Sequence, residues 1–483
     1  MQKKLLAVAV LSALSGAVAA QSSSVTLSGV LQPEFAVVGA SGATQNSAVG
    51  AQSSDVVSRT RLNDGNGSYI NFGIVEDLGN GLQAWAQVQS VVMGNSDTRA
   101  QTATTLAPAG ITVGGAAWGT RNTGVGLRSA SWGTAVVGVW DIHYHTEGNI
   151  DRFSQTTGSA QTAKSLLHSS GAATPSSGGR YNNVIRWDSP NWNGFTMAAA
   201  FARPVDGAVR TTSTPFAGGF GNILDGKKAT VWSFNPRYQN GPFEIFYSYI
   251  QEKDIVDPAA AGVAALGNYT TNIAALAQNG VAGQTTTTTA FNIAGGAPAA
   301  GANTATALAP TVQTVIQVRG DRLGGAWTFP FGLKAGLIWD RQRITGNHQA
   351  TAAVGAGAVS AGSAALVIGQ NFNSSTTRTT WSVPVSYAFG SHMVGVTYTK
   401  AGNLNASVDI TGVNANGAST GARSWMVGYQ YAMSKRTNMY LAYTKISNDA
   451  LANYDFFANG AGMTNLNRGA SPTSTSLGIR HAF

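Results

Sequence analysis

Arginines that alternate with apolar residues along predicted strands are the residues of this sequence best placed to do chemistry. In Asn183–Asp188, Ile185 and Trp187 share one face of an extended strand, so Arg186 lies on the other. The same alternation places four more arginines on the face that we assign to water: Arg237, Arg319, Arg378 and Arg480. A guanidinium is always charged, and fixed charges around a pore select ions. The chemistry indicated is therefore electrostatic selection of solutes.

Signals for catalysis or metal binding are weak. Gly417-Ala-Ser-Thr-Gly421 matches a nucleophile elbow, but it lies in a Gly/Ala/Asn-rich loop rather than between a strand and a helix. His143 and His145 share one face of an extended segment, with no evident third ligand. The chain has no Cys, which excludes disulfides and thiolate chemistry. We predict no catalytic residue, no metal site and no cofactor.

The composition favours a membrane barrel over a soluble protein. Only 11% of the 483 residues are charged, against about 25% in soluble domains. Mean hydropathy is −0.01, and no later segment reaches the ~18 consecutive apolar residues of a membrane-spanning helix. Strands that are apolar towards lipid and polar towards water average out to such values. A secreted, repetitive β-rich protein is the alternative. Lys and Arg are not clustered, so no nucleic-acid partner is expected.

The N-terminus resembles an export signal. Lys3 and Lys4 precede an apolar run, and small residues lead up to Gln21. This pattern predicts a signal peptide over residues 1–20 and a single barrel domain over 21–483. Removing the two lysines lowers the formal charge from +9 to +7 (9 − 2 = 7), because the segment holds no other charged side chain. A positive balance favours anionic solutes.

Short alternating segments recur along the chain, joined in turn by tight turns and by long loops. Leu82–Val91 alternates throughout, after a Gly-containing turn at Asp77–Gly81. We count about 16 strands, an even number, as single-chain bacterial barrels have. Ser474–Phe483 pairs with Val25–Val38 in this interpretation, which closes the sheet and removes its edges. The predicted fold class is all-β, a transmembrane antiparallel β-barrel with short periplasmic turns and long extracellular loops.

Several segments resemble the general porins of Gram-negative β-proteobacteria. They are Gln21–Val30, the hairpin Phe72–Ala84, Asn183–Pro190, Tyr429–Thr437 and Leu477–Phe483. The resemblance implies a 16-stranded, homotrimeric diffusion channel of the outer membrane, in contact with membrane lipid and lipopolysaccharide. It also implies that the terminal aromatic residue, Phe483, is the signal that the assembly machinery recognises.

The same resemblance identifies a candidate constriction. A third loop, here residues 141–179, would fold into the lumen and face arginines on the wall. Arg186 stands where one family arginine stands, and Arg121 resembles another, although its parity matches the apolar Val125 and Leu127. Arg61 shares the parity of Tyr69 across a loop. The acidic candidates on the inserted loop are Glu147 and Asp151.

The sequence thus predicts passive diffusion of small hydrophilic solutes and ions, with a preference for anions. Two alternatives stay open. One is a channel specific for a sugar or an aromatic acid, which would show saturable binding. The other is a surface adhesin in which the loops bind a partner and the lumen is plugged.

Overall fold

A computed structural model describes the barrel wall and parts of its connections. The described residues are 23–44, 56–64, 68–92, 118–142, 144, 150–153, 166–167, 180–203, 230–256, 311–351, 371–406, 419–452, 454–456, 466 and 468–483. The predicted signal peptide, His143, His145 and the first two residues of the motif at 417–421 lie outside them. Within the described part, no helix is long and apolar enough to cross a membrane.

All the strands belong to one antiparallel sheet. In chain order they are β1 Ser23–Leu31, β2 Pro33–Ser41, β3 Val56–Asp64, β4 Tyr69–Gly79, β5 Leu82–Val91, β6 Thr123–Ser129, β7 Gly133–Asp141, β8 Arg180–Asp188, β9 Phe195–Ala202, β10 Thr230–Asn240, β11 Phe243–Val256, β12 Thr311–Thr328, β13 Leu333–Thr351, β14 Asn371–Phe389, β15 His392–Ala401, β16 Asn405–Ala406, β17 Ala422–Ala432, β18 Thr437–Asn448 and β19 Ser471–Ala482.

These 19 segments form a closed barrel of 16 strands, as predicted. β1 and β2 are two halves of one barrel strand, interrupted at Gln32, and β3 with β4 form the next. β16 is a two-residue addition beside β14. The last strand closes the ring, because Leu477 pairs with Phe35 in β2 and Ala482 with Val30 in β1. No strand is left without neighbours at this seam, which removes the edge that would otherwise aggregate.

One strand lies where the sequence predicted a loop. The connection expected over Gly39–Ser68 contains β3, which pairs with β2 from Pro33↔Asp64 to Ala40↔Val56. β3 does not alternate cleanly, so its pairing depends on the backbone of β2 rather than on its own pattern. The other long addition is on β12–β14, which reach 18 and 19 residues while β6 has 7. The barrel wall is therefore much taller on one side.

The two faces of the wall differ as a lipid-embedded barrel requires. Outward residues are apolar and exposed, as in β17, where Trp425, Val427 and Tyr429 alternate with buried inward residues. Aromatic pairs lie near both ends of the strands. Tyr398 and Trp425 pack with ring centroids 4.5 Å apart towards the long-loop end, and Tyr387 and Phe389 pack at 5.4 Å beside a short turn. Such pairs form the two aromatic girdles of a membrane barrel.

Candidate pore constriction

The connection between β7 and β8, residues 142–179, is called the pore loop below. Its described residues lie inside the barrel and not above it. The buried apolar side chains are Ile142, Tyr144, Ile150, Phe153, Leu166 and Leu167. They pack in four clusters against inward-facing residues of the wall, such as Phe246 and Ile338 around Ile150 and Leu167. The expectation that this loop folds into the lumen agrees with this packing.

Glycines on the inner wall make room for three of these side chains. A Cβ atom built on Gly320 would lie 2.5 Å from the Tyr144 ring. Gly395 and Gly428 are opposite each other on β15 and β17, and a Cβ on either would lie 2.5 Å from the Phe153 ring. At these distances no larger residue fits unless the loop moves. We call the inner faces of β12–β17 the socket wall.

Ile150 occupies a third socket on the same wall. It lies over Gly324 of β12 and Gly336 of β13, where a Cβ on Gly324 would approach its Cδ1 to 3.1 Å. Its side chain packs with Phe246 and Ile338 at almost zero exposure. Burial of one such side chain stabilises the docked loop by about 1.5–3 kcal/mol. The three sockets therefore hold the loop along one side of the lumen.

A buried polar cluster fixes the start of the pore loop. The Arg322 guanidinium pairs with Asp340 at 3.0 Å and donates to the Tyr144 carbonyl at 2.9 Å. The Tyr144 hydroxyl donates to the same carboxylate at 2.5 Å. Burial, followed by the charge of Asp340, raises the pKa of the Tyr144 phenol well above its usual value, so the phenol remains a donor. Sequence reasoning missed Arg322 and Asp340, because it sought exposed charges.

The two stems of the pore loop are clamped together. Arg180 at the start of β8 pairs with Asp141 at the end of β7 at 3.1 Å, and both bond to the Asn122 side chain. Arg186 donates to the Asp141 carbonyl at 2.8 Å and pairs with Asp188 through two nitrogens, at 2.6 and 2.8 Å. Arg186 thus lies on the inner face, 8% exposed, and holds the base of the loop.

Two inward arginines lie farther round the barrel. Arg121 donates to Gln89 at 2.9 Å and lies over the Tyr69 ring at 5.0 Å. The chain bends at residues 121 and 122, just before β6, so the alternation that places Val125 on the outer face does not extend to Arg121. Arg121 therefore lies on the inner face. Arg128, which the sequence reasoning did not single out, donates to Gln83 at 2.8 Å. We call the inner faces of β4–β6 the arginine wall.

Two more inward arginines lie nearer the short turns. Arg237 pairs with Glu244 at 3.0 Å, and the same carboxylate pairs with Lys334 at 3.1 Å. Arg480 lies on the inner face of β19, near the end of the barrel that carries the short turns. Both follow the parity expected of them.

Arg319 is the exception, and the expectation for it was wrong. It lies on the outer face with Leu323 and Trp327, where it pairs with Asp321 at 3.1 Å. The apolar neighbour used to assign its face, Val318, points inward and is 1% exposed. The inner face of β12 carries apolar as well as charged residues, so an apolar neighbour does not mark the lipid side there.

Of the two acidic residues expected at the constriction, Asp151 is buried and Glu147 lies outside the described residues. Asp151 is 2% exposed, and its carboxylate accepts the Phe153 amide at 3.0 Å, which shapes a turn and does not line open water. Glu147 lies outside the described residues, as does the side chain of Arg61, whose backbone pairs with Ala36. Among the described residues, no group of three metal-ligating side chains occurs.

A closed 16-stranded barrel with aromatic girdles and a loop docked inside defines a diffusion channel of the bacterial outer membrane. The family profile described as Gram-negative porin matches residues 7–308 and 217–451, and the chain belongs to that family. Its location is therefore the outer membrane of a Gram-negative bacterium. No match is found among curated proteins.

Solved structures share this fold at low sequence identity. The anion-selective porin from Comamonas acidovorans is 16% identical, with 96% of this chain and 100% of that chain covered and a TM-score of 0.56. OmpT, an outer membrane protein of Vibrio cholerae, is 10% identical, with 97% and 100% covered and a TM-score of 0.51. Its trimer form gives a TM-score of 0.50 at 10% identity, with 96% and 100% covered. These likenesses show the barrel fold alone.

Proposed function

We propose that this porin passes small hydrophilic solutes with a preference for anions. The observation that carries the proposal is the arginine wall, where Arg121 and Arg128 lie on the inner face and donate to the side chains of Gln89 and Gln83. The neutral amide of Gln83 holds the Arg128 guanidinium in place and does not offset its positive charge. Fixed charge of one sign on a water-filled wall raises the local concentration of the opposite ion.

Planar-bilayer recording of the purified protein across a salt gradient tests the preference. We expect a reversal potential of the sign that anion permeation produces, and an anion-to-cation ratio that falls as salt screens the wall. A cation-selective reversal potential would refute the proposal. Absence of any conductance would favour the plugged adhesin, and saturable block by a sugar or an aromatic acid would favour the specific channel.

A largely aliphatic outer face supports a homotrimer. Outward residues on β1 and β4–β8 are mainly valine, leucine and isoleucine, in contrast to the aromatic girdles elsewhere. They include Val25, Leu27, Ile74, Val125, Leu127, Val137 and Ile185. We infer that this face packs against copies of the same chain. Val125→Arg should convert trimer to monomer in gel filtration in mild detergent, whereas Val396→Arg on the far side should leave the trimer intact as the matched control.

Basic side chains above the girdle suit the phosphates of lipopolysaccharide. Lys400 and Arg423 are exposed and directly opposite each other on β15 and β17, and Lys445 pairs in register with Trp425 one step below. An apolar groove of about 400 Å³ continues down the same outer face, lined among others by Val396, Val427, Leu441 and Tyr443. We propose that this row holds a phosphorylated outer-leaflet lipid.

Neutralising the row tests the lipid partner. Glutamine at 400, 423 and 445 should lower the amount of lipopolysaccharide that copurifies, whereas Lys435→Gln in a short turn at the other end should not. Equal lipid content in both variants would argue against the row.

The C-terminal residue is proposed as the assembly signal, after cleavage of residues 1–20 on export. The Phe483 ring packs over Gly29, and the two backbones exchange hydrogen bonds of 3.0 and 3.1 Å. Deleting Phe483 should lower the amount of assembled barrel and leave export intact, as measured by heat-modifiable mobility of membrane fractions. Normal trimer yield would contradict this. N-terminal sequencing of the mature protein should begin at Gln21.

A further inference from the structure

The connection between β18 and β19, residues 449–470, is called the last loop below. Its described apolar side chains lie inside the barrel. Tyr454, Phe456 and Leu466 are at most 7% exposed and share a buried cluster with Ala36 of β2 and Ile446 of β18. Both wall residues face inward. The last loop therefore occupies part of the lumen, as the pore loop does.

The far end of the pore loop meets the last loop. Leu166 is completely buried in the cluster that contains Tyr454, Phe456 and Leu466. Its neighbour Leu167 packs into a different cluster, with Ile150 and the socket wall. The pore loop thus lies between the wall and the last loop at this point.

One buried arginine bonds to both loops. Arg378 of β14 is 1% exposed, and its Nη2 atom donates to the Leu167 carbonyl at 3.0 Å. Its Nη1 atom lies 3.5 Å from the Tyr454 hydroxyl, and its guanidinium lies 5.7 Å from the centroid of that ring. A buried guanidinium needs such acceptors, so their loss carries a large penalty. The contact therefore links the positions of the two loops.

The last loop is folded firmly enough to act as a support. The Asn448 side-chain amide donates to the carbonyls of Tyr454 at 2.9 Å and Ala470 at 2.6 Å, and its oxygen accepts the Tyr454 amide at 3.0 Å. The last loop is also bonded to the segment after β2, because the backbone amide of Thr44 donates to the Arg468 carbonyl at 2.9 Å. These bonds fix the backbone of Tyr454 and the segment of the last loop that leads into β19.

We propose that two loops build the constriction of this channel, and that Arg378 is the positioning residue that joins them. The proposal rests on the proposed channel function. In this arrangement the last loop supports the tip of the pore loop, and pore width depends on a contact far from the arginine wall. Solute size limits should then respond to changes in the last loop as well as in the pore loop.

Single-channel recording and liposome swelling with sugars of increasing size test the proposal. Channels with Arg378→Gln should no longer show one uniform conductance level. Their current should be larger and noisier, and larger sugars should enter the liposomes. Tyr454→Ala should give the same change. The double variant should add little to either single variant, because both substitutions remove the contact between Arg378 and Tyr454. Arg378→Lys should restore part of the uniform level. Lys435→Gln in a short turn is the matched control. Uniform, wild-type conductance in assembled Arg378→Gln trimers would overturn the proposal.

A second measurement does not depend on conductance or on the Arg378 variants folding. The chain has no Cys, so Leu166→Cys with Phe456→Cys introduces the only two thiols. Treating the folded trimer with a short bifunctional maleimide should link the two loops. After denaturation and proteolysis at sites between the two cysteines, the linked fragments should then run as one band of higher mass on a gel. Failure to link would overturn the contact. Linkage in a protein that conducts nothing would instead refute the channel function and leave the contact standing.

Discussion

The socket wall and the arginine wall belong to one sheet, yet their inner faces are built on opposite principles. On the socket wall, glycines replace side chains, and the charged pair Arg322–Asp340 is completely buried under the pore loop. On the arginine wall, Arg121 and Arg128 are partly exposed and bond to amides. The socket wall includes β12–β14, of 18 and 19 residues, and the arginine wall includes β6, of seven.

This difference separates two properties of the channel. The socket wall positions the pore loop and so sets the width of the lumen. The arginine wall contributes charge that solutes meet in water. Width therefore depends on side chains that are absent or buried, whereas ion preference depends on side chains that stay solvated. Four variants test this separation, in order of decreasing effect.

Removing one partner of the buried pair should have the largest effect. Asp340→Ala leaves the Arg322 guanidinium and the Tyr144 hydroxyl without their shared acceptor, which should cost about 3–5 kcal/mol. We expect a large fall in the denaturant midpoint of the folded barrel, or little assembled protein. Asp340→Asn keeps an acceptor and serves as the milder comparison. An unchanged midpoint for Asp340→Ala would mean that the cluster does not support the loop.

Filling a socket should change width while sparing selectivity. Gly395→Val places atoms where the Phe153 ring lies, and such overpacking typically costs about 1–3 kcal/mol. The loop should shift from the wall, which changes single-channel conductance at an unchanged sign of ion preference. Gly325→Val is the control, because a Cβ there meets its nearest neighbour at an ordinary 3.5 Å. Equal conductance for both variants would contradict the socket assignment.

Neutralising the arginine wall should change ion selectivity and leave the width of the lumen unchanged. A unit charge acts on an ion ~10 Å away with ~0.4 kcal/mol in water, so two charges alter the local anion concentration roughly fourfold at low salt. Arg121→Gln with Arg128→Gln should therefore move the reversal potential towards zero. The largest sugar that enters liposomes should stay the same. A change in that size limit with no change in selectivity would show that these arginines set width.

The smallest effect is expected on the outer face. Arg319→Gln removes an exposed ion pair with Asp321, which contributes about 0–1 kcal/mol. Neither the reversal potential nor the conductance should change, because Arg319 does not face the lumen. A selectivity change equal to that of the arginine-wall variant would return Arg319 to the pore.

Much of the fold follows from local pattern. Period-two alternation and glycine-containing turns predicted the hairpins, because both signals act between neighbouring residues. The contact of the last strand with the first was predicted because closure removes the edges of the sheet. β3 was missed since its residues alternate poorly and its partner β2 supplies the pairing. The last residues of β13, after Ile344, and the first residues of β14, before Thr379, were missed for the same reason.

The candidate site was less predictable. Alternation along a strand identifies the lipid-facing side only where all residues of one face share the same surroundings, either lipid or water. Val318 is apolar, yet it faces inward and is 1% exposed, and this reversed the assignment of Arg319. Arg186 was placed on the correct face, but its partners, Asp188 and the Asp141 carbonyl, were not foreseen. The sequence analysis did not single out Gly428, whose lack of a side chain makes room for the Phe153 ring.

By itself, the sequence determined the class of protein: a low-charge chain of alternating strands that must close on itself in lipid, because alternation and turns are local properties. Only the tertiary structure decided which charges face water, which are buried, and how two loops meet at Arg378. Those outcomes depend on residues hundreds of positions apart that the barrel brings together, and no spacing along the chain records such contacts.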